Sequence, residues 1–227
     1  MTCRPQLVAP PSRWRASPRR LARLFAGQWL FGTGDAFLIA AGLGNAPWTV
    51  LAEGVSRVTP LTVGVATQAI GLLVLCGWLP LRERPGLGTV LNVVVIGIAL
   101  DVMLPLVPDL EGLAVRGVAA LIGVALVGLG SGLYLNAGLG PGPRDGLMTG
   151  INRRTGWPVF AVRLGIEATV LAAGWSLGGT VGVGTVGFAL LIGPAVGTSL
   201  RLMGRRPHTR EAPPELGLAP DRSADGG

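Results

Sequence analysis

A charge inside a long apolar segment is costly and normally faces a cavity or a partner, so such residues are the first candidates for chemistry. Asp35 stands mid-segment, with Gln28 and Gly32 on the same helical face. Arg163 and Glu167 are four residues apart, a spacing that brings an acid and a base together on one face of a helix. These three residues suit coupling or gating of a solute better than bond-making. Each also has a plainer reading. Arg163 and Glu167 could form an ion pair that locks one helix to its neighbours, and Asp35 could be an acid hydrogen-bonded within the bundle. Asp101, towards the outer end of its segment, is expected to find a surface-proximal partner such as Arg116.

No enzyme activity is expected. Gly32-Thr33-Gly34-Asp35 matches the Gly-x-Gly-Asp string of intramembrane aspartyl proteases. That chemistry needs a second carboxyl to share a proton. Asp101 is the candidate for it, but the companion Pro-Ala-Leu string is replaced by Pro194-Ala195-Val196. The single histidine, His208, lies in a polar tail, which excludes Ser/His catalysis. Two cysteines, Cys3 and Cys76, make neither a disulfide framework nor a metal site, so no cofactor or metal is expected.

A repeated string offers a second kind of site. Ala41-Gly42-Leu43-Gly44 recurs as Ala137-Gly138-Leu139-Gly140, and Pro47 recurs as Pro143, a shift of 96 residues. Glycines permit the turn, and proline at the first helical position starts a helix without losing a hydrogen bond. The helix end that results has free amides and partial positive charge, which suit anionic or carbonyl groups. Candidate solute-binding residues are therefore Gly42, Gly44, Pro47, Trp48, Gly138, Gly140, Gly142, Pro143, Arg144 and Asp145, with Asp145 also able to cap its own helix end. Arg144 replaces Trp48 in the second copy, which predicts two chemically unequal mouths. The plainer reading is a turn that ends one helix and starts the next.

The elements that must position these residues are membrane helices. The chain is 49% hydrophobic and 14% charged, with mean hydropathy +0.56. Ordinary soluble domains carry about 25% charged residues. Six apolar segments are long enough to cross roughly 30 Å of hydrocarbon: 24–41, 61–81, 87–107, 114–135, 159–177 and 181–202. The net charge of +7 comes from arginines beside these segments and not from a basic stripe with interleaved aromatics, which argues against nucleic acid. Arginine-rich connections alternate with arginine-poor ones, so both termini are expected in the cytoplasm, of which 1–20 and 204–227 form tails, the second disordered.

The 96-residue register runs on through Gly86-Leu87-Gly88-Thr89-Val90 against Gly182-Val183-Gly184-Thr185-Val186. Three spans per copy, 24–107 and 114–202 within one domain at 21–203, make the second copy inverted relative to the first. The predicted fold is all-α: six transmembrane helices as two inverted three-helix repeats, each with a short re-entrant or interfacial helix. In the first short helix Trp48, Leu51, Ala52, Val55 and Val58 form an apolar face opposite Thr49, Glu53, Ser56 and Arg57. Gly128 and Gly132, Gly178 and Gly182, and Gly193 and Gly197 are spaced for close helix packing.

These strings together resemble the bacterial YczE/YitT-like family of integral membrane proteins, specifically its YczE branch. The matching residues are Gly138 through Met148, Arg163 with Glu167, Gly178 through Thr185, and Pro85 through Thr89 with Asn92. The resemblance covers roughly residues 20–203. It implies a multi-span membrane protein of a family without a settled biochemical activity, sometimes suspected of transport. Where the family often reads Pro-Trp-Asp this chain has Pro47-Trp48-Thr49, and Ala40 stands where a basic residue is common.

The sequence therefore points to a permease-like carrier of a small polar or anionic solute in the cytoplasmic membrane. The alternative is a non-transporting scaffold or partner subunit of a membrane complex. The expected partners are the lipid bilayer and a small solute, a homodimer is left open, and nucleic acid is not expected.

Overall fold

The computed structural model describes residues 13–203. The C-terminal tail and most of the N-terminal one, with His208 and Cys3, lie outside the described residues. All regular structure among the described residues is helical: α1 (Pro18–Ala41), α2 (Pro47–Val58), α3 (Val63–Cys76), α4 (Trp78–Leu81), α5 (Leu87–Met103), α6 (Leu113–Ala137), α7 (Pro143–Thr155), α8 (Val159–Ser176) and α9 (Val183–Leu202). Pro105 lacks the N–H that would continue α5, and the chain tightens there into a 3-10 turn, Leu104–Leu106.

Six helical segments are long and apolar enough to cross a membrane: Pro18–Ala41, Val63–Leu81, Leu87–Leu106, Leu113–Ala137, Val159–Ser176 and Val183–Leu202. They coincide with the six expected from sequence to within a few residues, except at the start of α1. Large apolar side chains stand exposed on these helices, Leu73, Phe160, Trp175 and Leu190 among them. Water would penalise that surface, whereas hydrocarbon solvates it. The chain is a multi-pass membrane protein.

At the centre α1 crosses α6. A methyl group on Gly27 would stand 2.7 Å from the Gly130 carbonyl oxygen, and one on Gly130 would stand 2.4 Å from that of Gly27. Gly34 and Gly123 face each other in the same way, at 2.6 and 2.8 Å. Only glycine lets two membrane helices approach so closely. In the 96-residue register Gly27 matches Gly123 and Gly34 matches Gly130, so the crossing is one contact made twice.

The ends of these helices are tied from the other copy. Gly42 and Gly138 terminate α1 and α6 in the left-handed conformation, with φ of 58° and 64°. Arg116 donates to the carbonyls of Ala41 and Gly42 at 2.6 and 2.7 Å, and Arg20 donates to those of Ala137 and Gly138 at 2.9 and 3.1 Å. A cation at a helix C-terminus satisfies orphan carbonyls and the dipole together. Arg116 is thus engaged with a helix end and not with Asp101, as the sequence suggested. Asp101 instead holds the start of α3, accepting from the Thr62 hydroxyl at 2.5 Å and the Gly64 amide at 2.8 Å.

The glycine strings join the copies as well. Gly88 donates its N–H to the Leu139 carbonyl at 2.9 Å, and Gly184 donates to that of Leu43 at 2.8 Å. Each short helix packs against the second span of the other copy, α2 on α8 and α7 on α3 and α4. The expected polar face of α2 is solvated only at its end, where Arg57 is exposed. Thr49 and Glu53 are buried because Asp35 accepts from Thr49, and Asn45 and Thr180 donate to Glu53, while the expected core residue Val58 is exposed.

In one respect the copies differ. α3 packs along α5, and a methyl on Gly64 or Gly97 would stand 2.2 or 2.5 Å from the other's carbonyl oxygen. The matching helices do not close: α8 rests on α2 and α7, and α9 rests on α6. Methyl groups on Gly193 or Gly197 would meet nothing within 4 Å. Of the small-residue spacings, Gly128 and Gly132 do serve close packing, against Ala195 and Ser199.

Candidate functional site

The two short helices begin beside one another. Pro47 opens α2 and Pro143 opens α7, and the next residue of each reaches towards the other. The guanidinium carbon of Arg144 lies 4.9 Å from the centroid of the Trp48 ring. The expected two mouths are therefore a single site, shared by equivalent positions of both copies.

The start of α7 is held in several ways. The Trp78 indole N–H donates to the Pro143 carbonyl at 2.9 Å, and its ring occupies the space a side chain at Gly146 would need. The Thr89 hydroxyl donates to the Pro141 carbonyl at 2.7 Å. Asp145, in the first turn of α7, accepts from the Tyr134 hydroxyl at 3.0 Å.

Beside this helix start lies a cavity of about 410 Å³ between α6, α7, α8 and α9. Trp48, Asn92, Tyr134, Arg144 and Asp145 line one end, with Arg163 and Glu167 contributed by α8. Phe31, Val127, Phe188, Ile192 and Val196 form an apolar wall. A second space, of about 20 Å³, lies against α3 and α5, where it is lined by Thr67, Ile70, Gly71 and Val93. The two share Trp48, Asn92, Ile96, Pro143 and Arg144 as a common wall. In the register Thr67 matches Arg163 and Gly71 matches Glu167, so the two spaces are equivalent places in the two copies, one wide and one narrow.

Of the residues singled out from sequence, Pro47, Trp48, Gly142, Pro143, Arg144, Asp145, Arg163 and Glu167 line the large cavity together. Gly42, Gly44, Gly138 and Gly140 lie instead in the seams between copies. Gly44 and Gly140 have φ of 114° and 122°, and methyl groups there would stand 2.5 Å from the Gly182 amide and 2.9 Å from the Thr89 hydroxyl. Asp35 is buried behind Trp48's helix, its Oδ1 accepting from the Thr49 hydroxyl at 3.3 Å and its Oδ2 without a partner. Arg163 and Glu167 form an ion pair at 2.9 Å, but their side chains are 52% and 28% exposed. It is a half-open pair, not a buried lock.

Two groups in the cavity wall lack partners. The Arg144 guanidinium makes no hydrogen bond or ion pair with any described residue, its contact being the Trp48 ring. The Trp48 indole N–H is buried and likewise without an acceptor. Buried polar groups are normally satisfied, so the orphaned Trp48 N–H, with the half-buried Arg144 fork beside it, marks a place for a ligand.

Sequence reasoning missed Tyr134, Ser131 and Met148 of the cavity, and it missed a second buried cluster. Glu53 accepts from Asn45 at 2.8 Å, from the Thr180 amide at 2.8 Å, and from the Thr180 hydroxyl and Arg57 at 2.6 Å each. Burial would push its carboxyl up, but the Thr180 donors and then Arg57 outweigh burial and hold it below the ordinary glutamate value. The cluster fastens α2 to the α8–α9 connection. The other short helix is fastened by the ion pair of Arg153 with Glu83, and Arg153 matches Arg57 in the register. Tyr134 had a signal, being the single tyrosine of the chain, set in an apolar span.

The chain is similar to several known proteins. An uncharacterized protein of Haemophilus influenzae is 40% identical over 200 residues, covering 88% of this chain and 92% of that one. The uncharacterized membrane protein YczE of Bacillus subtilis is 39% identical over 172 residues, 74% of this chain and 80% of its own length. The uncharacterized protein YyaS of the same organism is 28% identical over 164 residues, covering 70% and 82%. No solved structure matches the chain. The family of unknown function DUF6198 matches residues 18–201, nearly the whole membrane body. The chain belongs to that family and is a YczE-like membrane protein.

Proposed function

We propose that the protein is a carrier of the cytoplasmic membrane for a small polar or anionic solute, built as two inverted three-span copies with α2 and α7 as re-entrant helices. One observation supports this above the rest. Two equivalent spaces flank the Trp48–Arg144 pair, one of about 410 Å³ and one of about 20 Å³. A binding site wide on one side and narrow on the other is the asymmetry that alternating access requires, and inverted copies supply two conformations that can be exchanged. With both termini cytoplasmic, as the arginine distribution indicates, the wide space lies towards the cytoplasm. It is lined by the second half of α6, by α9 from Phe188 to Leu200, and by the first half of α8. Asp35, or the Arg163–Glu167 pair, would couple or gate the exchange, and no enzymatic step is proposed. The unpacked α9 face would equally suit a scaffold that binds a partner protein.

Topology is tested by reporter fusions after Arg84, Asp109 and Arg154, with cytoplasmic, external and cytoplasmic signals expected in turn. Same-side signals at Arg84 and Asp109 remove the inverted repeat. Access is tested in chains lacking Cys3 and Cys76. Gly193→Cys should react with an impermeant thiol reagent from the cytoplasmic side, and Gly71→Cys should be protected from that side. Equal reactivity of both from one side would refute the carrier.

A further inference from the structure

The large cavity is of mixed sign, and its sign pattern narrows what it can hold. Arg144 and Arg163 line it with Asp145 and Glu167, two bases and two acids, and Asp35 lies within electrostatic reach of Arg144. Arg163 and Glu167 pair with each other, and Asp145 is held by Tyr134. Arg144 has no such partner, so its donors call for an acceptor that is itself anionic. A purely anionic solute, however, would enter a space whose acids already match or outnumber its bases. A purely cationic one would leave the Arg144 fork unpaired and be repelled by it. A solute carrying both charges adds no net charge and can satisfy both.

Its third requirement comes from the wall. Val127, Phe188, Ile192 and Val196 face the same space and would have to be wetted by a solute that was polar throughout. At about 30 Å³ per water, a space of roughly 410 Å³ holds about fourteen waters, room for a small molecule with a branched or aromatic side chain.

Resting on the carrier reading of this cavity, we infer that its substrate class is a small zwitterion with an apolar side chain, an amino-acid-like solute. Its carboxylate lies on the Arg144 guanidinium beside the Trp48 indole N–H. Its ammonium lies towards Asp145 and Glu167, and its side chain rests against the α6–α9 wall.

The test uses three probes of one shape with the purified full chain: L-leucine, 4-methylpentanoate (the same skeleton without the ammonium) and 3-methylbutylamine (without the carboxylate). Binding is read by calorimetry and by shift of the thermal midpoint. Leucine should bind, and each half-molecule should bind about tenfold to a hundredfold more weakly, the loss expected when one charged hydrogen-bonding partner is missing. Arg144→Gln should reduce leucine binding towards the level of the amine, while binding of the amine holds or rises because the charge that repels it is gone. Arg144→Lys, which keeps the charge and loses the fork, should fall between and serves as the folded control. Binding of 4-methylpentanoate as tight as that of leucine, or no response to leucine, overturns the inference. The carrier reading is judged separately by the cysteine labelling at positions 193 and 71. Side-dependent labelling without a leucine response sinks the substrate class alone.

Discussion

Trp48 and Arg144 occupy the same position in the two copies of the repeat and lie one over the other, 4.9 Å from ring centroid to guanidinium carbon. The divergence of the copies at this position is what makes the contact: two tryptophans would stack without charge, and two arginines would repel. A half-buried cation over an indole face contributes about 0.5–2 kcal/mol. A double-mutant cycle of Trp48→Leu and Arg144→Gln, measured by unfolding in detergent, should show a coupling of about 0.5–2 kcal/mol. Simple additivity would mean that the two groups are neighbours without an interaction.

Glu53 offers a pH test. Its folded carboxyl lies below the ordinary value because the Thr180 and Arg57 donors prefer the charged form despite burial. A depressed folded pKa means that the stabilisation is fully present above the unfolded glutamate value of about 4.3 and is lost as pH falls through and below it. The wild-type melting temperature should therefore drop between about pH 5 and 3. Glu53→Gln should lose about 1.5–3 kcal/mol at neutral pH, the usual worth of hydrogen bonds to a charged group, and show a flatter acid limb. Parallel curves for the two proteins would show that the carboxylate charge plays no part in fastening α2.

The spans, and the 96-residue register that pairs Gly88 with Gly184 and Arg20 with Arg116, could be read from the chain because hydropathy and repetition are properties of linear order. The Pro47 and Pro143 helix starts were legible for the same reason. Which side of α2 would be buried was not, since periodicity assigns Thr49 and Glu53 to water. Their partners Asp35, Asn45 and Thr180 come from three different parts of the chain. Nor does linear order reveal that Trp48 and Arg144 meet, because that depends on how two copies pack around the α1–α6 crossing. Asp101 was assigned to the wrong partner for a related reason: nearness in an expected topology favoured Arg116, while the orphan carbonyls of α1 competed for it more strongly.

The difference between the copies predicts opposite outcomes for one kind of substitution. Gly97→Ala would place a methyl 2.5 Å from the Gly64 carbonyl oxygen, and the α3–α5 interface must shift to admit it. Gly193→Ala meets nothing within 4 Å and gains helix propensity of about 0.8–1 kcal/mol. Gly97→Ala should therefore lower the thermal midpoint, while Gly193→Ala holds or raises it. If the protein alternates between conformations, Gly193→Ala should also slow solute uptake, because α8 and α9 must close over that position as α3 and α5 do over Gly97. Loss of stability in both variants would mean that the α8–α9 gap is filled in the membrane, by lipid or by a partner chain.

Gly142 separates a site from a bend. Its φ of −62° and ψ of 160° are open to any residue, and as the residue before a proline it is confined to extended conformations in any case. Alanine there costs nothing in turning. The added methyl would stand 3.2 Å from Asp145 Oδ2, 3.5 Å from the Tyr134 hydroxyl and 3.6 Å from Asn92 Oδ1, close enough to push the Asp145 carboxyl by a few tenths of an ångström. The fold does not depend on that displacement, since Trp78 and Thr89 still hold the loop through the carbonyls of Pro143 and Pro141. Gly142→Ala should accordingly express and melt like the wild type while weakening the thermal shift produced by leucine. Tyr134→Phe, which removes the donor to Asp145 without adding volume, should weaken it in the same direction. An unchanged leucine response in both variants would make the α7 start architecture alone and move the search for the solute to the Arg163–Glu167 side of the cavity.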